Sequence, residues 1–135
     1  MIDSKVMRRV LWAGAAFNAL VALMLMFPST LGALAALPTV GSIYYHSMLT
    51  FFVVLFSATY VWLALQPTIS RPVVVLSAVG KTGAFIIALV CLARGEILLR
   101  TFSVSMGDLA FAIYFFAWLR STAASAPNAE QSISD

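Results

Sequence analysis

Residues 72–93 read PVVVLSAVGKTGAFIIALVCLA and residues 97–119 read ILLRTFSVSMGDLAFAIYFFAWL. Each is long and apolar enough to cross a bilayer as a helix, which takes about 20 residues. Each also carries an ionisable residue near its middle, Lys81 in the first and Asp108 in the second. Arg94, Gly95 and Glu96 alone separate the two runs, so the spacing predicts antiparallel neighbours joined by a tight turn. Continuous apolar runs of this length exclude the alternating segments of about 10 residues that build a membrane β-barrel.

Two further runs precede these, from about Val10 to Phe27 and from about Ile43 to Leu65. Pro28, Pro38 and Gly41 break the chain after the first, and Gln66, Pro67 and Pro72 after the second. The prediction is an all-α integral membrane four-helix bundle with spans at about 10–27, 43–65, 72–93 and 97–119, forming one domain over residues 1–120. Composition points the same way: of 135 residues, 62% are hydrophobic and 10% charged, against about 25% charged in a soluble domain. A mean hydropathy of +1.00 excludes disorder. One cysteine excludes a disulfide scaffold or a cysteine-rich metal module. Lys5, Arg8 and Arg9 before the first run, with Ala33 and Ala35 beyond it, imitate a secretory signal. An apolar run of about 18 residues exceeds a signal core of about 7 to 15, so the segment reads as a retained span.

Basic residues are held on the cytoplasmic side of a membrane. With the N-terminus inside, Lys5, Arg8, Arg9, Arg71 and Arg120 all fall inside, and only Arg94 and Arg100 outside. Both termini are therefore expected in the cytoplasm, with the bundle in the plasma membrane. Trp12, Trp62 and Trp118 then fall at the inner interface and Tyr44 and Tyr45 at the outer one, as an aromatic belt. The uncharged connection after the first span predicts a short helix over about 29–37 on the outer surface, either a lid or a plain interfacial connector. Ser121 to Asp135 is polar and aperiodic and reads as a mobile cytoplasmic tail. The net charge of +3 is used in fixing topology and carries no implication of nucleic-acid binding.

An isolated charge at mid-membrane costs about 2.5–3.5 kcal/mol on insertion scales. Lys81 and Asp108, at matching depth on neighbouring helices, are thus expected in direct or water-bridged contact, or with Asp108 protonated. Helical spacing gives each span one stripe of small or polar residues: Gly14, Ala15, Asn18 and Ala22; His46, Thr50, Val53 and Ser57; Ser77, Lys81, Ala84 and Ala88; Thr101, Ser105, Asp108 and Ala112. Turning the stripes inward satisfies the polar groups and leaves large apolar side chains to lipid. The candidate ligand-binding residues are Lys81, Asp108 and Asn18, with His46 and Tyr45 toward the outer mouth. The same residues also have plainer readings. Hydroxyls and glycines let helices approach closely, Asn18 suits an interhelical hydrogen bond, and His46 beside two tyrosines suits an interfacial anchor. A buried ion pair can serve to fix register alone.

Gly80-Lys81-Thr82 imitates the end of a phosphate-binding loop, but Val75 stands where its first glycine is required. A lone His46 and a lone Cys91 on separate spans make no closed metal site. His46 lies roughly 12 Å in depth from Asp108 at about 1.5 Å per residue, which leaves no Ser–His–carboxylate set. No catalytic residue, metal or resident cofactor is assigned.

Gly80-Lys81-Thr82-Gly83-Ala84-Phe85, with Gly107-Asp108-Leu109-Ala110-Phe111-Ala112 and the closing Trp118-Leu119-Arg120, resembles the small bacterial four-helix membrane proteins grouped as DoxX-like. The resemblance covers the last half of the chain and implies four helices. Some DoxX-like proteins are associated with a thiosulfate:quinone oxidoreductase, and no motif here transfers that activity.

Three functions follow as expectations. In the first, the bundle binds a hydrophobic, lipid-like or quinone-like small molecule among Asn18, Lys81 and Asp108. In the second, a proton-coupled small transporter or channel works as a homodimer or larger complex, since four helices rarely enclose a route alone. In the third, the chain is an accessory subunit of a redox enzyme whose partner supplies the cofactor.

Overall fold

A computed structural model describes residues 3–38 and 40–123. Its elements are α1 (Ser4–Met26), α2 (Leu31–Leu34), α3 (Ile43–Leu65), α4 (Arg71–Ala93) and α5 (Leu99–Ala123). Four of these helices are long and apolar enough to cross a membrane, and the described residues contain no strand. At about 1.5 Å per residue, helices of 23 residues reach about 34 Å, enough for a hydrocarbon core of about 30 Å.

α1 begins at Ser4 rather than near Val10, because Asp3 caps it: its carboxylate accepts from the Lys5 N–H at 3.0 Å. α5 begins at Leu99 and continues past Leu119 to Ala123, so the first residues of the expected tail are helical; the rest of that tail, from residue 124, lies outside the described residues. The connection between α1 and α3 is less helical than expected. α2 holds Leu31–Leu34 instead of 29–37, and Ala36, at φ +51°, leaves the helical region behind it. Two contacts pin this connection. The Gly32 N–H donates to Phe27 O at 3.0 Å, and the Thr101 hydroxyl of α5 donates to Ala36 O at 2.6 Å.

The backbones approach as two antiparallel pairs, α1 with α3 and α4 with α5, with α1 also touching α2 and α5. The turn between α4 and α5 follows from Gly95, which sits at φ +72° where other residues are strained. Its N–H donates to Leu92 O and that of Glu96 to Cys91 O, both at 2.9 Å, which closes the C-terminus of α4 as a Schellman motif. Pro72, in the first turn of α4, withholds an N–H that the helix does not need there.

The core lies at one end of the bundle, where α1 and α4 begin and α3 and α5 finish. Met7 and Leu11, Tyr60 and Leu63, Val74 and Phe115 are fully buried there. Because lipid is as apolar as leucine, this end is held by van der Waals packing and polar clamps rather than by exclusion of water. An arginine clamps each pair. Arg8 donates from its guanidinium to Ala64 O at 2.5 Å and to Pro67 O at 2.8 Å, and Arg71 donates to Leu119 O at 3.1 Å and to the Thr122 hydroxyl. In both cases a cation from the beginning of one helix reaches a backbone carbonyl near the end of its neighbour, where the helix dipole favours positive charge. Trp118 corrects the expected aromatic belt. It is 5% exposed and packs in this core, whereas Trp12 and Trp62, at 48% and 52%, face outward.

Beyond the level of Lys81 the two pairs diverge. On α4 the stripe is buried at Ser77 and Lys81 but Ala84 is exposed, and on α3 His46, Thr50, Val53 and Ser57 are half-buried. The inward stripes are therefore complete on α1 but interrupted on α3 and α4.

Candidate functional site

Lys81 reaches across the bundle from α4. Its ammonium donates to Asp108 Oδ1 of α5 at 2.5 Å and to Asn18 Oδ1 of α1 at 2.6 Å. The charged pair expected from the sequence thus meets directly, with Asn18 as a third member. The Lys81 side chain is 7% exposed and that of Asp108 19%. Pairing removes the penalty of two separate charges in hydrocarbon, provided that the remaining protons and lone pairs also find favourable surroundings.

Aromatic rings supply part of those surroundings. The ammonium lies 4.9 Å from the ring centroid of Phe17, 5.6 Å from that of Phe111 and 5.9 Å from that of Tyr60. All three distances fall within the about 6 Å over which a π face attracts a cation. These rings escaped the reading of the sequence. Their signal was spacing: Phe17 adjoins Asn18, Phe111 follows Asp108 by one helical turn, and Tyr60 follows Ser57 by one turn. Tyr60 is fully buried, and its hydroxyl makes no hydrogen bond of normal geometry although Ser77 lies close by.

Gly107 explains how Phe17 fits. A Cβ at this position would stand 2.6 Å from the Phe17 ring, so the ring occupies the space that a side chain on α5 would take. Gly14 does the same more loosely for Tyr60, at 3.2 Å, while at Gly83 nothing lies within 4 Å.

The cluster forms the polar floor of a hollow of about 200 Å³. Asn18, Lys81 and Asp108 line it together with apolar side chains, among them Val21, Phe52, Val53 and Phe56. Of the wall residues, Leu49, Phe52, Gly80 and Ala84 are exposed on the bundle surface, so the hollow opens sideways between α3 and α4. At the other end the core around Phe115 and Leu63 closes it.

Tyr45 and His46 stand apart from this cluster. Both line a second hollow of about 480 Å³ at the connection between α1 and α3, with Leu25, Pro28 and Pro38, and Leu49 borders both spaces. Tyr45 is 75% exposed. His46 Nε2 sits 2.6 Å from Leu25 O, where an N–H donated by the imidazole satisfies a carbonyl in the last turn of α1. Three stripe hydroxyls are likewise occupied locally: Thr50, Ser77 and Ser105 donate to carbonyls of their own helices. Ser57 is an exception that links helices, donating to Ala15 O of α1 at 2.8 Å. Among the described residues no group of three or more His, Cys, Asp or Glu side chains is arranged to hold a metal ion. The arrangement offers hydrogen bonding and charge inside an apolar enclosure. No protein-family model, no curated protein and no solved structure matches this chain.

Proposed function

We propose that this protein is a non-catalytic membrane protein of the bacterial inner membrane that holds a small lipid-like or quinone-like molecule within its bundle. The observation that carries the reading is the Asn18–Lys81–Asp108 cluster, set as the floor of an otherwise apolar hollow. A site of this type binds the apolar body by burial and orients it through a few polar groups. The strings that resemble DoxX-like proteins, residues 80–85 and 107–112, are those that carry Lys81 and Asp108.

The test is native mass spectrometry of protein extracted gently from its own membrane. Wild type is expected to retain a small-molecule adduct that the Lys81→Met/Asp108→Leu double variant loses, with both proteins folded by circular dichroism. Absence of an adduct on wild type, or its persistence on the double variant, would overturn the reading. The proposed orientation puts both termini in the cytoplasm. In a Cys91→Ala background, single cysteines at Ser4 and Ser121 should react with an impermeant maleimide in inverted vesicles and not in spheroplasts.

A further inference from the structure

The composition of the floor bears on which head group fits. An ammonium has three N–H donors, and Lys81 directs two of them at Asn18 and Asp108. The third lies among the rings of Phe17, Phe111 and Tyr60, while the amide N–H₂ of Asn18 and Oδ2 of Asp108 make no hydrogen bond among the described residues. The floor therefore keeps an uncommitted donor and an uncommitted acceptor, while the charges of Lys81 and Asp108 already cancel. A carboxylate head would add a second anion beside Asp108, and an ammonium head a second cation beside Lys81. In a low-dielectric site either leaves one charge uncompensated and stripped of water. An uncharged, oxygen-bearing head meets the uncommitted groups and leaves the pair intact.

Size narrows the class further. A dry cavity of about 150 Å³ lined by apolar side chains accommodates benzene, so about 200 Å³ suits a single substituted six-membered ring. Anything longer must leave through the opening. There the backbones of α3 and α4 stand apart, and Phe56 faces a Gly80 whose added Cβ would meet it at an ordinary 3.7 Å.

Resting on the binding reading above, we infer that the hollow takes an uncharged, oxygen-bearing head of one ring's size, which enters from the bilayer between α3 and α4 and leaves an apolar tail among the acyl chains.

Three photoreactive probes test this in membranes that contain the full chain. They share one alkyl tail with a diazirine near the head and differ in the head itself: cyclohexanone, carboxylate or trimethylammonium. Adducts are located by peptide mass spectrometry. The ketone probe is expected to label the stretch from Phe52 to Phe56 about tenfold more than either charged probe, the ratio that about 1.4 kcal/mol of selectivity produces. Gly80→Leu, which fills the opening from an exposed position, should abolish that labelling without lowering the thermal unfolding temperature. Equal or stronger labelling by a charged probe would overturn the head-group inference and leave the binding site standing. Ketone labelling that survives Gly80→Leu would overturn the lateral entrance. Labelling by all three probes spread evenly over the lipid-facing surface would remove both this inference and the binding reading beneath it.

Discussion

At Gly107 the absence of a side chain is what seats Phe17 against the Lys81 ammonium, because the nearest ring atoms lie 2.6 Å from where a Cβ would be. Gly107→Ala should displace that ring and lower stability by about 1–3 kcal/mol, as overpacking of a filled site does. Gly83→Ala is the matched control: with nothing within 4 Å, it should be neutral or gain up to about 1 kcal/mol of helix propensity. Thermal unfolding in detergent reads both, and equal effects would show that Gly107 has no special role in seating the ring. Lys81, Asp108 and Asn18 were legible in the sequence because polar groups at mid-membrane depth are expensive and must be met by partners. Phe17, Tyr60 and Phe111 were not. Rings are common in an apolar chain, and only the folded arrangement tells the three that face a cation from those that face lipid.

Among the elements, each antiparallel pair is tied by an arginine that reaches a backbone carbonyl near its neighbour's end. Arg8→Ala should expose the carbonyls of Ala64 and Pro67 and cost about 1–2 kcal/mol, below the about 1.5–3 kcal/mol of a fully buried charge-assisted bond because the site is partly open. Hydrogen exchange provides the local test: amides near the end of α3 should lose protection while α4 and α5 keep theirs. Loss spread evenly over all four spans would contradict the clamp. From sequence alone Arg8 and Arg71 read as markers of sidedness. Their second role could not be read, because the partners are mainly backbone carbonyls, which every residue carries. Trp118 shows the converse limit. Its position at a span end suggests an interfacial anchor, but the periodicity that places it beside Phe115 and Leu119 on the buried face of α5 outweighs its preference for the interface. The connection after α1 was foreseen as a short helix over about 29–37 and holds a shorter one, Leu31–Leu34, which ends before Ala36 turns to φ +51°.

Across the whole molecule, four spans were evident from length and apolarity, and their arrangement was not. All four stripes of small residues allow close approach. Which helices pair closely, and at which end the pairs part, depends on bulk elsewhere: Tyr60, Phe115 and Met7 fill one end, while Gly80 and Ala84 leave the other open between α3 and α4. This asymmetry puts the Lys81–Asp108 ion pair at the boundary between packed core and open hollow. The account therefore turns on Lys81 and Asp108 being held against each other inside the protein. A double-mutant cycle tests it most directly, with Lys81→Met, Asp108→Leu and the combination compared by thermal unfolding in detergent. Each single variant leaves a partner charge without its counter-ion and should lose at least about 2 kcal/mol, toward the about 3–5 kcal/mol of a broken buried pair. The combined variant should lose far less than the sum and approach wild type. Small, additive losses would mean that the two charges do not depend on each other, and the polar floor would lose its basis.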